Sequence, residues 1–534
     1  MIMHRNKSVN VHRFAMTPRA EIPRSSFNIQ KSHKTTFDAG YLIPIYVDEV
    51  LPGDTFRLSM TAFARLATPL FPIMDNMYID SFFFFIPNRL VWSNWVKMMG
   101  QQDSPGDSID YTVPQMTSPA GGYAVNSIFD HMGLPTVGQV GAGATVTHSA
   151  MWLRAYNLVY NEWFRDENLQ NPTTVSKLDA PSLPAEFTLM RRGKRHDYFT
   201  SCLPWPQKGP AVELPLGASA PVKIVPGGSG TGMRFVGTDG TGNPAGAVTG
   251  NASGYLYTGA VAANLDPNGT LFADLSEATA ATINQLRQSF QIQKLLERDA
   301  RGGTRYTEIL RSHFGVMSPD ARLQRPEYLG GGSTSIQVNP IAQNSSTPDA
   351  GNGSPLGTLG AMATGLANGH GFSASFVEHG MVLGILSVRA DLNYQQGLRR
   401  MWSRKTRYDY YFPAFAHLGE QAVLSKEIYC DGTAGDETVF GYQERWAEYR
   451  YNPSNITGLF RSTSAGTLDA WHLAQNFANR PTLNNQFVQE TPPVDRVLAV
   501  PSSTGKQLIV DTFFNINAAR PLPLYSVPGL IDHF

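Results

Sequence analysis

Glu378 and His379 stand side by side ahead of an apolar run, and a carboxylate next to an imidazole is the smallest unit that could move a proton. No third group that would orient such a base is near in sequence, so a structural hydrogen-bonded pair is the better reading. The twelve histidines are otherwise scattered. Gly505-Lys506 is followed by Gln507, and Val500 stands where a phosphate loop needs its first glycine. No G-x-G-x-x-G, H-E-x-x-H or G-x-S-x-G occurs, and the longest glycine-rich stretch lacks a following helix placed to hold a phosphate. The expectation is a protein without catalytic machinery or cofactor. Cys202 and Cys430 are the only cysteines, too few for a disulfide framework and too far apart for a zinc motif, which points to a reducing compartment.

The remaining chemistry is cationic. The formal net charge is zero, so the chain as a whole predicts no affinity for polyanions, but the distribution is uneven. Residues 1–36 carry Arg5, Lys7, Arg13, Arg19, Arg24, Lys31 and Lys34 against Glu21 alone. Either this is a solvated arm, or its cations neutralise phosphates on the inner side of an assembly. In the second case, seven cations less one carboxylate would give a salt slope of about −4 on single-stranded nucleic acid. A second group, Arg399, Arg400 and Arg404 with Lys405 and Arg407, is flanked by Trp402 and Tyr408, where bases could stack. A solvated or interface loop is the competing reading there. The aromatic runs Phe82–Phe85 and 408–415 read first as core or interface.

Positioning such groups is the work of the strands. Charged residues make up only 16% of the chain, while Gly (49) and Pro (36) are plentiful, a composition suited to strands joined by many turns. Met77–Ile86 is short enough for a strand and continuous enough to need cover on both faces. Burying each of its four Phe rings is worth at most about 1.5–3 kcal/mol. Past Pro87, Asn88 is a fair helix N-cap, Val91, Trp95 and Met98 recur at helical spacing, and Gly100 fits a C-cap. Further strands are expected at 37–47, 55–62, 197–205, 333–338, 375–389, 439–451 and 508–516. Helices are expected at 124–133, at 149–168 and from Ser276 to Gly302.

From Leu216 to Gly269 the chain is rich in Gly and nearly uncharged, with short β-like runs around Met233–Val236 and Tyr255–Tyr257. A projecting insertion fits this better than a core element. With no repeat and no βαβ alternation, the expected fold is mainly β: about eight antiparallel strands in a jelly-roll sandwich with long, helix-containing insertions. Its expected bounds are a basic arm over 1–36 and one domain over 37–534. The N-terminal stretch lacks the apolar core of a signal peptide, and no run is long enough to span a membrane.

HRNKSVNVHRFAMTPRAEIPRSSF (4–27), FDAGYLIPIYVDEVLPGDTF (37–56), IDSFFFFIPNRLVW (79–92), GYQERWAEYRY (441–451) and PGLIDHF (528–534) together resemble the major capsid proteins of microviruses, in the gokushovirus branch of small single-stranded DNA phages. The resemblance runs from end to end and is weakest over about 216–275. It implies a viral jelly roll, assembled in the cytoplasm of a bacterial host, whose sixty copies form an icosahedral shell around single-stranded DNA. It also implies an internal scaffolding protein, a DNA pilot protein and a small basic DNA-condensing protein as partners. The variable insertion, with Met233, Phe235, Tyr255 and Tyr257, would be a surface protrusion facing the host receptor. From a different class, a carbohydrate-binding or glycoside-cleaving β-sandwich is the alternative, since jelly rolls serve there too. Such an enzyme would need two carboxylates about 5–10 Å apart.

Overall fold

The computed structural model describes residues 23–212, 283–315, 324–344, 357–499 and 505–525, together with the backbone of six short strands between 222 and 273. The chain divides into two compact units, Gln207–Gly303 and the remainder. The larger unit is built on eight strands: β1 (Ser25–Phe37), β2 (Ile43–Val50), β3 (Thr55–Leu66), β4 (Met77–Pro87), β5 (Glu327–Ala342), β6 (Leu359–Ser375), β7 (Gly380–Ala390) and β8 (Leu508–Arg520). They form a sheet in the order β1-β8-β3-β6-β5-β4-β7-β2, with every pairing antiparallel.

First strand meets last, second meets seventh, third meets sixth and fourth meets fifth. That nesting is a jelly roll: a folded-over hairpin rolled into two half-sheets. β5 joins the halves, pairing with β4 through Glu327–Ile336 and with β6 through Gln337–Ala342.

The half-sheets β1-β8-β3-β6 and β5-β4-β7-β2 enclose the main core. Phe56, Leu58, Met60, Phe514 and Ile516 meet Phe83, Phe85, Val382 and Leu386 there. As the sequence requires, β4 is covered on both faces. Phe83 and Phe85 point into the sandwich, whereas Phe82 and Phe84 turn the other way onto a second core. Glycines in β7 make room for the rings: a Cβ on Gly380 would lie 2.3 Å from the Phe85 ring, and one on Gly384 2.8 Å from Phe83.

The second core is built by the 88–190 insertion. Its helix α1 (Met151–Val159), extended by a π turn at Tyr160–Phe164, packs Leu153, Tyr156 and Val159 against Phe84, Leu383 and Ile385. Tyr156 donates to the Leu42 carbonyl at 2.9 Å. Arg154 is fully buried, its guanidinium donating to Ser182 and to the carbonyls of Leu178 and Ala180. Trp92 is fully buried in this same core, donating to Asp179 at 2.6 Å, and Trp95 packs beside it. Both tryptophans thus complete the subunit's own interior. A third core, around Tyr198, Phe199, Tyr394, Val423 and Phe440, holds 191–206 against the long β7–β8 connection.

Four expectations change. Residues 25–36, grouped with the basic arm by their charges, form with Phe37 strand β1 at the edge of the sheet, held by thirteen consecutive pairings with β8. The turn of chain after Pro87 is two one-turn helices, Asn88–Val91 and Trp95–Met98, because the chain breaks at Trp92 to bury its indole. The 197–205 stretch is a series of turns that touches the sheet ribbon through one bridge, Leu203 to Tyr442.

Finally, β6 is a strand in a Gly- and Ala-rich stretch that lies between the strands expected at 333–338 and 375–389. Close packing keeps parts of it bare: a Cβ on Gly365 would meet the Ile79 side chain at 2.7 Å, and one on Gly371 would meet the Leu58 carbonyl at 2.0 Å.

In the smaller unit, Val222–Ile224 pairs with Leu271–Ala273, so the excursion leaves and returns through one short ribbon. Helix α2 (Ile283–Arg301) follows. Among the described residues no helix is long and apolar enough to cross a membrane.

Candidate functional site

The cationic-aromatic segment at 399–412 lies against a two-stranded ribbon, Glu420–Leu424 with Val439–Glu444. Arg400 donates to Glu427 at 2.9 Å, and Arg404 reaches Glu448 at 3.4 Å. Burial pushes the Glu427 carboxyl up, an effect Arg400 and the Leu424 N–H oppose. Tyr198 adds a hydrogen bond to the same carboxylate at 2.9 Å. Two of the three predicted arginines are therefore matched inside the subunit.

Arg399 lines a hollow of about 330 Å³ with Tyr198, Met401 and Tyr449. A neighbouring hollow of about 290 Å³ is lined by Lys405, Thr406, Lys426 and Arg445. The loop between is braced locally: Asp409 accepts from the Thr406 and Lys405 N–H groups, which hold its carboxyl down at about 2. Trp402, Tyr408, Tyr410 and Tyr449 remain exposed, and Arg404 stacks on Tyr449 with its guanidinium 4.4 Å from the ring centre. The arrangement offers aromatic faces and a few free cations rather than a dense phosphate-binding patch.

Of the N-terminal cations, Arg5, Lys7, Arg13 and Arg19 lie outside the described residues, as do Met233, Phe235 and Tyr255 and the side chain of Tyr257. Arg24 donates to Thr55, Lys31 sits 5.3 Å over the Tyr46 ring, and Lys34 pairs with Asp511 at 3.1 Å.

Among the described residues the candidate pairs do not assemble a reaction centre. Glu378 is engaged by Arg89 at 2.8 Å, and His379 lies edge-on to Trp95, so the adjacent pair does not work together. Ser81 and His370 do meet, at 2.8 Å, with Thr334 on the other ring nitrogen at 2.9 Å. Ser81 is 1% exposed and His370 6%, sealed between strands where no substrate reaches them. Lys506 pairs with Asp38 at 2.7 Å. Among the described residues no group of three His, Cys, Asp or Glu is placed to hold a metal ion.

The sequence reading passed over one further surface. In β3 and β8 alternate residues are buried, yet Phe63, Ile509 and Phe513 sit in the polar phase and are exposed. Large apolar residues out of phase in an alternating strand are the signal that would have found it.

A family profile described as capsid protein (F protein) matches residues 15–530 of the chain. The chain is 50% identical to the capsid protein VP1 of Bdellovibrio phage phiMH2K, across 98% of its own length and 99% of that protein. It is 45% identical to the capsid protein VP1 of Chlamydia phage 1, with 98% of each chain covered, and 37% identical to that of Spiroplasma virus 4, again with 98% of each covered.

Proposed function

The chain belongs to the capsid protein (F protein) family and is a structural component of a phage virion, and on that premise we propose that sixty copies close into an icosahedral shell around single-stranded DNA. The observation that carries the structural role is similarity to capsid proteins along 98% of the chain, on a subunit whose eight strands nest as a jelly roll. The microvirus resemblance supports the copy number and the genome type. The charge pattern fits as well: cations concentrate near the N-terminus and at 399–407, while the chain as a whole is neutral. An internal scaffolding protein, a DNA pilot protein and a small basic DNA-condensing protein are the proposed partners inside. A bacterial surface receptor is the proposed partner outside.

Electron microscopy of the purified protein tests this reading. Closed shells of uniform diameter are expected. A homogeneous monomer that binds sugars would overturn it in favour of the carbohydrate-binding alternative.

Host attachment is assigned to the glycine-rich insertion at about 216–275. Its place inside a separate compact unit, Gln207–Gly303, where Val222–Ile224 pairs with Leu271–Ala273, supports the assignment. Deleting residues 220–270 is expected to leave particle formation intact and to reduce adsorption to host cells at least about tenfold, measured as phage bound per cell. Loss of all particles on deletion would show that the segment belongs to the assembly machinery instead.

A further inference from the structure

Among the described residues the half-sheet β1-β8-β3-β6 is packed across one side, and on the other only the 125–131 segment reaches its end. Its inward residues close the sandwich, while the outer side of the other half-sheet is overlaid by the 88–190 insertion. Across the bare side, Phe63 lies opposite Asp511 on one neighbour and Leu366 on the other, and Arg65 lies opposite Ile509. Phe513 lies opposite Thr61, which makes it a diagonal neighbour of Phe63, about 7–8 Å away.

Phe63 is 48% exposed, Phe513 44%, Ile509 57% and Leu366 61%. Large apolar groups gathered at the centre of one face mark a surface that meets a partner. The charge around them has one sign to spare. Arg57 and Arg65 are exposed and form no ion pair among the described residues, and Asp511, the lone carboxylate among the outward positions of these strands, is taken by Lys34.

The face ends in a groove of about 570 Å³ bordered by Phe63, Arg65, Ile509, Val125 and His131, with the carboxylates of Asp511, paired to Lys34, and Asp130, which accepts from the Asn126 N–H, at its margin. His131 is 5% exposed, with Nδ1 bonded to the Thr35 hydroxyl at 2.9 Å and Nε2 unpartnered among the described residues. The groove is of a size that holds one nucleotide, within the roughly 300–1,000 Å³ of small-molecule sites.

We propose that unpaired nucleotides lie along this face, bases stacked on Phe63 and Phe513, phosphates met by Arg57 and Arg65, and one base edge seated in the groove beside His131. The inference rests on the reading that the shell encloses single-stranded DNA and adds the surface that touches it. Stacking on phenylalanine accepts every base, which suits a wall that must hold a genome of any sequence. A second copy docked face to face fits less well. It would set Arg57 and Arg65 against their own copies with no carboxylate to receive them, and desolvated guanidinium groups would stay unpaired.

Ultraviolet crosslinking of intact, DNA-filled particles, with adducts mapped to peptides, tests the inference. Nucleotide adducts are expected on the 57–65 and 509–517 peptides, and their yield is expected to fall roughly tenfold in the F63A/F513A double variant, with particle yield read in parallel. The map of unaltered particles decides the matter even if the variant assembles poorly. Adducts confined to other peptides, such as 399–412, overturn the inference and leave the DNA-enclosing reading standing. Chemical crosslinks joining the two face peptides to another copy, without nucleotide adducts, also overturn it and assign the face to the shell's own contacts. Particles that contain no nucleic acid overturn the reading itself.

Discussion

Phe83→Asp yields no soluble, particle-forming protein. Phe83 is fully buried at the centre of the sandwich, its ring 5.5 Å from that of Phe372 and lying over the bare backbone of Gly384. An aspartate there places a carboxylate where no cation reaches it and leaves a cavity of ring size. The uncompensated charge costs several kcal/mol and the lost ring about 3–5 kcal/mol, against a total stability of about 5–15 kcal/mol. Phe84→Asp fails for the same reason on the opposite face, where the ring packs against Trp163 and Phe164. Val377→Asp is the control. It changes an exposed residue between β6 and β7, outside the proposed nucleotide face, and stays soluble. The soluble fraction after centrifugation, followed by electron microscopy of that fraction, reads all three, and normal particles from Phe83→Asp would show that the core lies elsewhere.

Asp80→Asn destabilises the subunit by about 3–5 kcal/mol, because it removes a buried carboxylate that two confined guanidinium groups grip at once. Arg192 reaches Asp80 at 2.6 Å and Arg389 at 2.8 Å, with side-chain exposures of 13% and 3%. Arg389 is wedged over the Tyr78 ring 4.2 Å away and cannot swing out to water. Ser333 donates a third bond to the carboxylate.

Burial by itself raises the Asp80 carboxyl, but Ser333, Arg192 and Arg389 outweigh it and hold the group below the usual carboxylate value. A carboxylate lowered by folding contributes its stability above its unfolded value, near 3.9, and loses it as pH falls toward the lower folded one. The wild-type midpoint in urea should therefore fall below about pH 4, and that acid-dependent component should be missing from Asp80→Asn. Equal midpoints for the two proteins at pH 7 would contradict the assignment.

Much of this architecture is legible in the order of residues. The unbroken apolar run at 77–86 demands cover on both faces, and the structure supplies a sandwich on one and a helical insertion on the other. The alternation in 55–66 and 508–520 announces half-buried strands. What resists reading follows from context. β6 is built of small residues because backbone and side chains crowd it, a constraint imposed by strands nearly three hundred positions away. β1 carries the charges of an arm and becomes a strand because β8, at the other end of the chain, offers it an edge.

The same division holds for the functional surfaces. Local pattern by itself determined that the chain is a β protein of many turns, that residues 216–269 differ in composition from the rest, and that cations gather near the N-terminus and at 399–407. Tertiary structure alone decided which cations are spent. Arg400 and Arg404 are met by carboxylates 27 and 44 positions on, while Arg57 and Arg65 are left facing outward. Nested pairing is the physical reason: it joins Ser26 to Asn517 across 491 positions, so the cover, charge and exposure of any strand are set by residues that no local pattern contains.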